Sequence, residues 1–213
     1  MNWGLYIFFL IVTVSVSIFI NYKRTIKQNN LYHAISTSNL KEFDDYAKGL
    51  TTLFFSKKYL ARLRLDLVLK MKNAPEIEKT LKECEKYMNS QKEKTDLYLK
   101  AFNYYMPLKN KEKCLYYHDK IKTLKDKSVY KEIDRAYLIC FEGDTSYEEE
   151  LLKEINEMDP KFAVVDEYIL SCLYRNLNNR KKEEQYLKLS KQHIEELAHY
   201  YKIQNKQAKK NKK

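Results

Sequence analysis

The sequence predicts an all-α protein: a right-handed α-solenoid of about five helix hairpins, preceded by a single transmembrane helix. Three observations predict it. Glycine and proline are scarce, 3 of each in 213 residues, whereas sheet proteins with many tight turns need more of both. Beyond the N-terminus, apolar residues recur at helical intervals rather than alternating. The breaks between these stretches fall at a nearly constant spacing. Abundant Lys, Glu, Leu, Tyr and Ile favour long helices, and the mean hydropathy of −0.66 describes a chain that is polar in bulk.

The first element is apolar. Trp3 to Ile20 holds no charge over 18 residues, and as a helix it would be about 27 Å long, close to the thickness of a bilayer core. Trp3, Tyr6 and Tyr22 stand near its ends, where amphipathic rings prefer the headgroup zone. A cleaved signal peptide needs a basic segment before the apolar run and small residues before the cut; only Asn2 and the α-amine precede the run, and Ser17–Asn21 offers a poor cleavage site. Residues 1–22 are therefore expected to be a retained anchor. Lys23, Arg24 and Lys27 follow it, which predicts a single-pass membrane protein with its N-terminus outside and its helical domain cytoplasmic. These three cations are the expected membrane-surface contacts, with anionic lipid headgroups as the partner. The opposite topology, an extracytoplasmic chaperone-like binder, is the alternative.

The formal charge of +11 invites a nucleic-acid reading. Nine of those charges sit on the two ends: Lys23, Arg24 and Lys27, and six lysines between Lys202 and Lys213. The body between is close to neutral, which disfavours nucleic acid as a partner. Residues 202–213 are expected to be a disordered Lys-rich tail. Cys84, Cys114, Cys140 and Cys172 show no metal-ligand or CxxC spacing and are expected as small buried hydrophobes in a reducing compartment.

The domain over residues 23–201 is broken at Asn39, Asn73, Asn110, Gly143 and Asn178, with separations of 34, 37, 33 and 35 residues. Four, eight and eleven positions beyond each break come Phe43, Ala47 and Leu50; Ile77, Leu81 and Cys84; Cys114, His118 and Ile121; Tyr147, Leu151 and Glu154; and Lys182, Tyr186 and Leu189. Those offsets share one helix face, and only Glu154 and Lys182 break the pattern. Helices are predicted over about 23–37, 40–54, 56–72, 75–89, 93–108, 111–125, 128–142, 146–158, 161–177 and 180–201. Pro75 and Pro160 suit helix starts, and Pro107 is expected to end its helix early.

A turn residue followed by small or apolar positions at these offsets resembles the second helix of a tetratricopeptide repeat, a family whose units often close on Asp-Pro, as at Asp159-Pro160. The resemblance covers about residues 22–201. The chain departs from the family eight residues before each break, where Leu31, Leu65, Phe102, Arg135 and Leu170 replace the usual Gly or Ala.

No glycine-rich phosphate loop, GxSxG, HExxH, DxDxDG or CxxC occurs, so the chain is expected to be no enzyme and to hold no cofactor or metal. His118 falls on an apolar face and reads as a satisfied core histidine. Glu148, Glu149 and Glu150 open a helix and suit its dipole. Lys57, Lys58, Arg62, Arg64, Lys70 and Lys72 form a basic stretch, read either as a solvated face or as a patch for anionic lipid or an acidic peptide. The resemblance implies a concave face built from first helices that holds a partner polypeptide, with Tyr59, Arg62, Asp66, Asp96, Leu99, Asn103, Met106, Glu132, Ile139, Glu167, Ser171 and Tyr174 lining the groove. The expected function is that of a membrane-anchored, non-catalytic interaction scaffold.

Overall fold

A long N-terminal helix, α1 (Trp3–Ser36), opens the computed structural model, which describes residues 3–210. Residues 1, 2 and 211–213 lie outside it, as do the side chains of residues 3–9, 11, 202 and 205–210. All secondary structure among the described residues is helical. The chain divides into two compact units, Met1–Leu97 and Tyr98–Lys213.

The expected transmembrane helix is overturned. Among the described residues no helix is long and apolar enough to cross a membrane. The earlier part of the expected span, with Trp3 and Tyr6, lies outside the described side chains. The single-pass location falls with the anchor. Of the cations that follow it, Arg24 lies over the Phe55 ring at 5.7 Å and Lys23 over Phe19 at 5.4 Å, while Lys27 is half-buried. Helix α1 runs unbroken to Ser36, so the helix over 23–37, whose continuity with the preceding stretch the sequence leaves open, is its continuation.

In the first unit, α1 is followed by α2 (Leu40–Tyr46), the short α3 (Thr51–Phe54), α4 (Lys57–Met71), α5 (Ala74–Tyr87) and the start of α6 (Gln91–Tyr105). The predicted single helix over 40–54 is two pieces, because Gly49 takes a left-handed φ of 60° between them. Leu31, Ala34, Phe43, Phe55, Leu60 and Leu67 form the core. Helices α4 and α5 run antiparallel: Arg64 reaches Glu76 and Thr80, and the Cys84 thiol donates to the Ala61 carbonyl at 3.4 Å.

The second unit continues α6 and adds α7 (Lys111–Lys122), α8 (Lys127–Tyr137), a π-helical turn (Leu138–Glu142), α9 (Glu148–Glu157), a 3-10 turn (Pro160–Phe162), α10 (Val164–Asn176) and α11 (Arg180–Lys210). Helix α6 ends at Tyr105, ahead of Pro107, whose missing N–H cannot continue the ladder. Helix α11 continues past 201, where an unstructured tail was predicted. The Cys114 thiol against the Phe102 carbonyl joins α6 to α7, His118 against Asp134 joins α7 to α8, Arg135 against Glu154 joins α8 to α9, and His193 against Glu167 joins α10 to α11.

One turn recurs in both units. Ser38, Lys72, Lys109 and Asn178 all sit at φ of 54–55°. Each is followed by an asparagine: Asn39, Asn73, Asn110 and Asn179. The asparagine N–H bonds back to the carbonyl five residues earlier: Ala34, Val68, Tyr105 and Tyr174. Its side-chain oxygen then accepts the backbone N–H of Glu42, Glu76, Lys113 or Lys182. A Schellman C-cap and an Asn N-cap are thus fused into a two-residue link.

Candidate functional site

Arg135 is the centre of the most developed polar site. Helix α8 turns it inward to 7 % exposure. Its guanidinium donates from Nη1 to Glu154 Oε1 at 3.0 Å and from Nη2 to Glu154 Oε2 at 2.8 Å. Glu150 lies 3.3 Å from Nη1 and Asp166 3.9 Å from Nη2. The third donor, Nε, is buried without a hydrogen-bond partner. Burial works against the Arg135 charge, yet the hydrogen bonds from Glu154 and the surrounding carboxylates outweigh it and raise the pKa.

This arginine borders a cavity of about 560 Å³ within the second unit. Leu99, Phe102 and Met106 of α6 face it together with Ile133 of α8 and Ile169 of α10. Glu132, Glu150, Glu154 and Asp166 supply four carboxylates, and Lys131 and Arg135 two cations. Lys131 takes Glu150 at 3.5 Å. Glu132 has no ion-pair partner among the described residues. Burial raises the Asp166 pKa above its ordinary 3.8; Arg135 opposes the rise, while Glu154, Glu132 and Glu167 add to it.

Of the residues the sequence points to, Leu99, Asn103, Met106 and Glu132 meet in this cavity. Ile139, Glu167, Ser171 and Tyr174 do not line it and are buried. The Ile139 carbonyl accepts from Asn176 Nδ2 at 2.6 Å, and Ser171 Oγ donates to the Tyr168 carbonyl at 2.7 Å. Tyr174 donates to Glu148 at 2.6 Å and stacks on Tyr186. Glu167 is 2 % exposed and pairs at 2.9 Å with His193, itself 8 % exposed. Tyr59, Arg62, Asp66 and Asp96 belong to the first unit. Tyr59 stacks on Phe55 and shares a 3.2 Å hydrogen bond with Tyr32. Arg62 lies 3.5 Å from Glu93, and Asp66 and Asp96 are exposed.

The basic stretch of α4 is largely engaged in structure. Lys58 reaches Glu93 at 2.7 Å. Arg64 holds Asp44 through Nε at 2.9 Å, Glu76 at 2.7 Å and Thr80, tying α2, α4 and α5 together. Lys70 donates to the carbonyls of Ile35 and Ser36 at 2.9 Å each, capping the end of α1. His118 has both ring nitrogens engaged, by Asp119 at 3.1 Å and Asp134 at 2.8 Å, and stacks on Tyr137.

Two residues that spacing did not connect come together. Cys140, in the π-helical turn, lies close enough to Cys172 of α10 for the two thiols to influence each other's ionisation, and all four cysteines are free. The neighbouring Cys140 thiol, together with Arg175, lowers the Cys172 pKa, whereas Cys140 itself is pushed up. The 32-residue separation of this pair carries no sequence signal; it becomes visible only once the π turn packs on α10. Arg135 is not among the residues the sequence points to; an arginine on an otherwise helical stretch carries no signal of its burial until α9 and α10 bring Glu154 and Asp166 to it. Among the described residues no cluster of His, Cys, Asp or Glu is arranged to hold a metal. The chain matches no protein-family model, no curated protein and no solved structure.

Proposed function

We propose that the protein is a non-catalytic interaction module whose second unit holds a segment of a partner polypeptide in the cavity between α6, α8, α9 and α10. The observation that carries this reading is the cavity itself: about 560 Å³, with apolar side chains beside charged ones. Binding sites of this kind bury aliphatic area for affinity and use a few placed polar groups for orientation. Its size suits two or three side chains of an extended or helical segment rather than a whole domain surface.

The recurrent link supports kinship with helical-repeat proteins of the tetratricopeptide kind. The N-capping asparagines Asn39, Asn73 and Asn110 are 34 and 37 residues apart, which is the period of paired-helix units. In such proteins each pair offers its first helix to a ligand, and α6, α8 and α10 are first helices in this sense. Residues in first helices were also the ones chosen from the sequence, and four of them border the cavity.

A photo-crosslinking amino acid at Asn103 tests the reading. Irradiation in the presence of displayed random peptides is expected to label the chain at that position, and competition by unlabelled peptide is expected to remove the label. Labelling that no peptide competes for, or none at all, counts against the cavity as a polypeptide site.

A further inference from the structure

The charges around the cavity do not cancel. Four carboxylates face two cations. Glu154 spends both oxygens on Arg135, and Glu150 is divided between Arg135 and Lys131. Asp166 has Arg135 only at 3.9 Å, and Glu132, an exposed side chain at the rim, has no ion-pair partner among the described residues. The excess negative charge therefore lies on Glu132 and Asp166. Asp166 is part-buried, and a carboxylate drawn out of water short of a counter-ion is costly until a cation arrives.

An independent feature asks for a second group. Arg135 Nε is a donor with no acceptor, on a side chain more than nine-tenths buried at the cavity wall. Native proteins leave few such donors unfilled. A cation alone would satisfy the two acids and leave Nε orphaned. An anion would satisfy Nε and be repelled by four carboxylates. A polypeptide segment carries all that is missing: a backbone carbonyl for Nε, a lysine or arginine for Glu132 and Asp166, and aliphatic side chains for Leu99, Phe102 and Met106.

From this complementarity we infer that the cavity selects a partner segment in which a lysine or arginine is flanked by aliphatic residues, the cation lying between Glu132 and Asp166 and a neighbouring backbone carbonyl accepting from Arg135 Nε. The inference rests on the polypeptide-binding reading above and adds its selectivity. Burial of Asp166, which disfavours its charge in the free protein, makes the incoming cation the group that relieves it. Arg135 adds no sequence preference: its Nε fixes the register by donating to a backbone carbonyl, which any sequence offers.

The test uses phage-displayed random nonapeptides selected on the full chain, with the crosslinker at Asn103 reporting occupancy. Enrichment of lysine or arginine between aliphatic residues is the expected result. The double variant Glu132→Gln, Asp166→Asn is expected to lose most of that enrichment, about tenfold in affinity for a selected basic peptide, while its far-ultraviolet circular dichroism is unchanged. If the double variant does not fold, the native chain gives the same information through salt. Affinity for the basic peptide then falls between about 50 and 500 mM salt, and that of its norleucine-substituted counterpart does not. Peptides that label Asn103 with no basic preference overturn the inference and leave the polypeptide-binding reading standing. Absence of any competed label overturns both.

Discussion

Arg135 and Glu154 face each other across α8 and α9 as a doubly bonded pair, Nη1 to Oε1 at 3.0 Å and Nη2 to Oε2 at 2.8 Å. The fork geometry is one that arginine alone supplies. Arg135→Ala removes it and leaves Glu154, Glu150 and Asp166 facing one another. The expected loss is about 3 kcal/mol, the low end for breaking a buried pair because Glu154 is partly open to solvent. Urea unfolding of the two proteins measures it. Arg135→Lys keeps the charge but not the fork, and is expected to fall between them.

Asp166 behaves in the opposite sense. Its folded pKa is raised above the ordinary 3.8, chiefly by burial. Its protonated form is therefore the one folding prefers. The stabilisation is complete below pH 3.8 and is lost as pH rises through the folded value. At neutral pH the carboxylate is a net burden on the fold. Asp166→Asn is expected to raise the melting temperature at pH 7, with the two melting curves converging as the pH approaches 3.8. A lower melting temperature for the variant at pH 7 contradicts this.

Glu93 supplies the acid limb of the first unit. The Lys58 hydrogen bond, followed by the Ser90 backbone, lowers its pKa from 4.5 to about 2. The folded value lies below the unfolded one, so the stability it brings is present above pH 4.5 and disappears as pH falls toward 2. Glu93 also closes a capping box: its N–H donates to Ser90 Oγ at 3.3 Å, and its carboxylate accepts the Ser90 N–H at 3.4 Å. Glu93→Gln keeps much of the box and loses the charge. Acid titration followed by circular dichroism is expected to show a flatter loss of stability between pH 4.5 and 2 than in the unaltered chain.

The recurrent link gives a paired prediction. Lys72 and Lys109 hold left-handed φ values that cost a residue with a Cβ about 1 kcal/mol. Lys72→Gly and Lys109→Gly are each expected to raise stability by about 0.5 kcal/mol, once the extra freedom of glycine in the unfolded chain is set against that strain. Asn178→Gly gains less, since asparagine tolerates this conformation. Asn110→Ala removes the acceptor for the Lys113 N–H and is expected to cost about 1 kcal/mol. Thermal melts of the four variants order them.

The helices and most of the breaks were legible because both follow local rules. Ile77, Leu81 and Cys84 after Asn73, and Cys114, His118 and Ile121 after Asn110, are all buried. The last register was read one residue early. Asn178 is the left-handed residue and Asn179 the cap, so the buried position is Ser190 rather than Leu189. Leu31, Leu65, Phe102, Arg135 and Leu170, eight residues before each break, are all buried, so large side chains fill those contacts. Of the twelve residues the sequence assigns to a groove, four border the cavity. A helix period tells which positions share a face, and this brought Leu99, Asn103 and Met106 together. It does not tell which neighbour covers that face, and α11 covers the positions of Glu167 and Tyr174. The π turn at Leu138–Glu142 widens the end of this helix, a feature with no local sequence rule, and Ile139 within it is buried.

The two-residue link has a consequence for how the chain tolerates change. It binds the last turn of one helix and the first turn of the next in a single hydrogen-bonded unit. One residue inserted or deleted there rotates the following helix by about 100° and carries its apolar stripe away from its partner. The links at Ser38-Asn39, Lys72-Asn73, Lys109-Asn110 and Asn178-Asn179 are thus phase locks, intolerant of changes in length. Length variation is better tolerated where the chain is not so fastened, as at 47–50, 123–126 and 143–147.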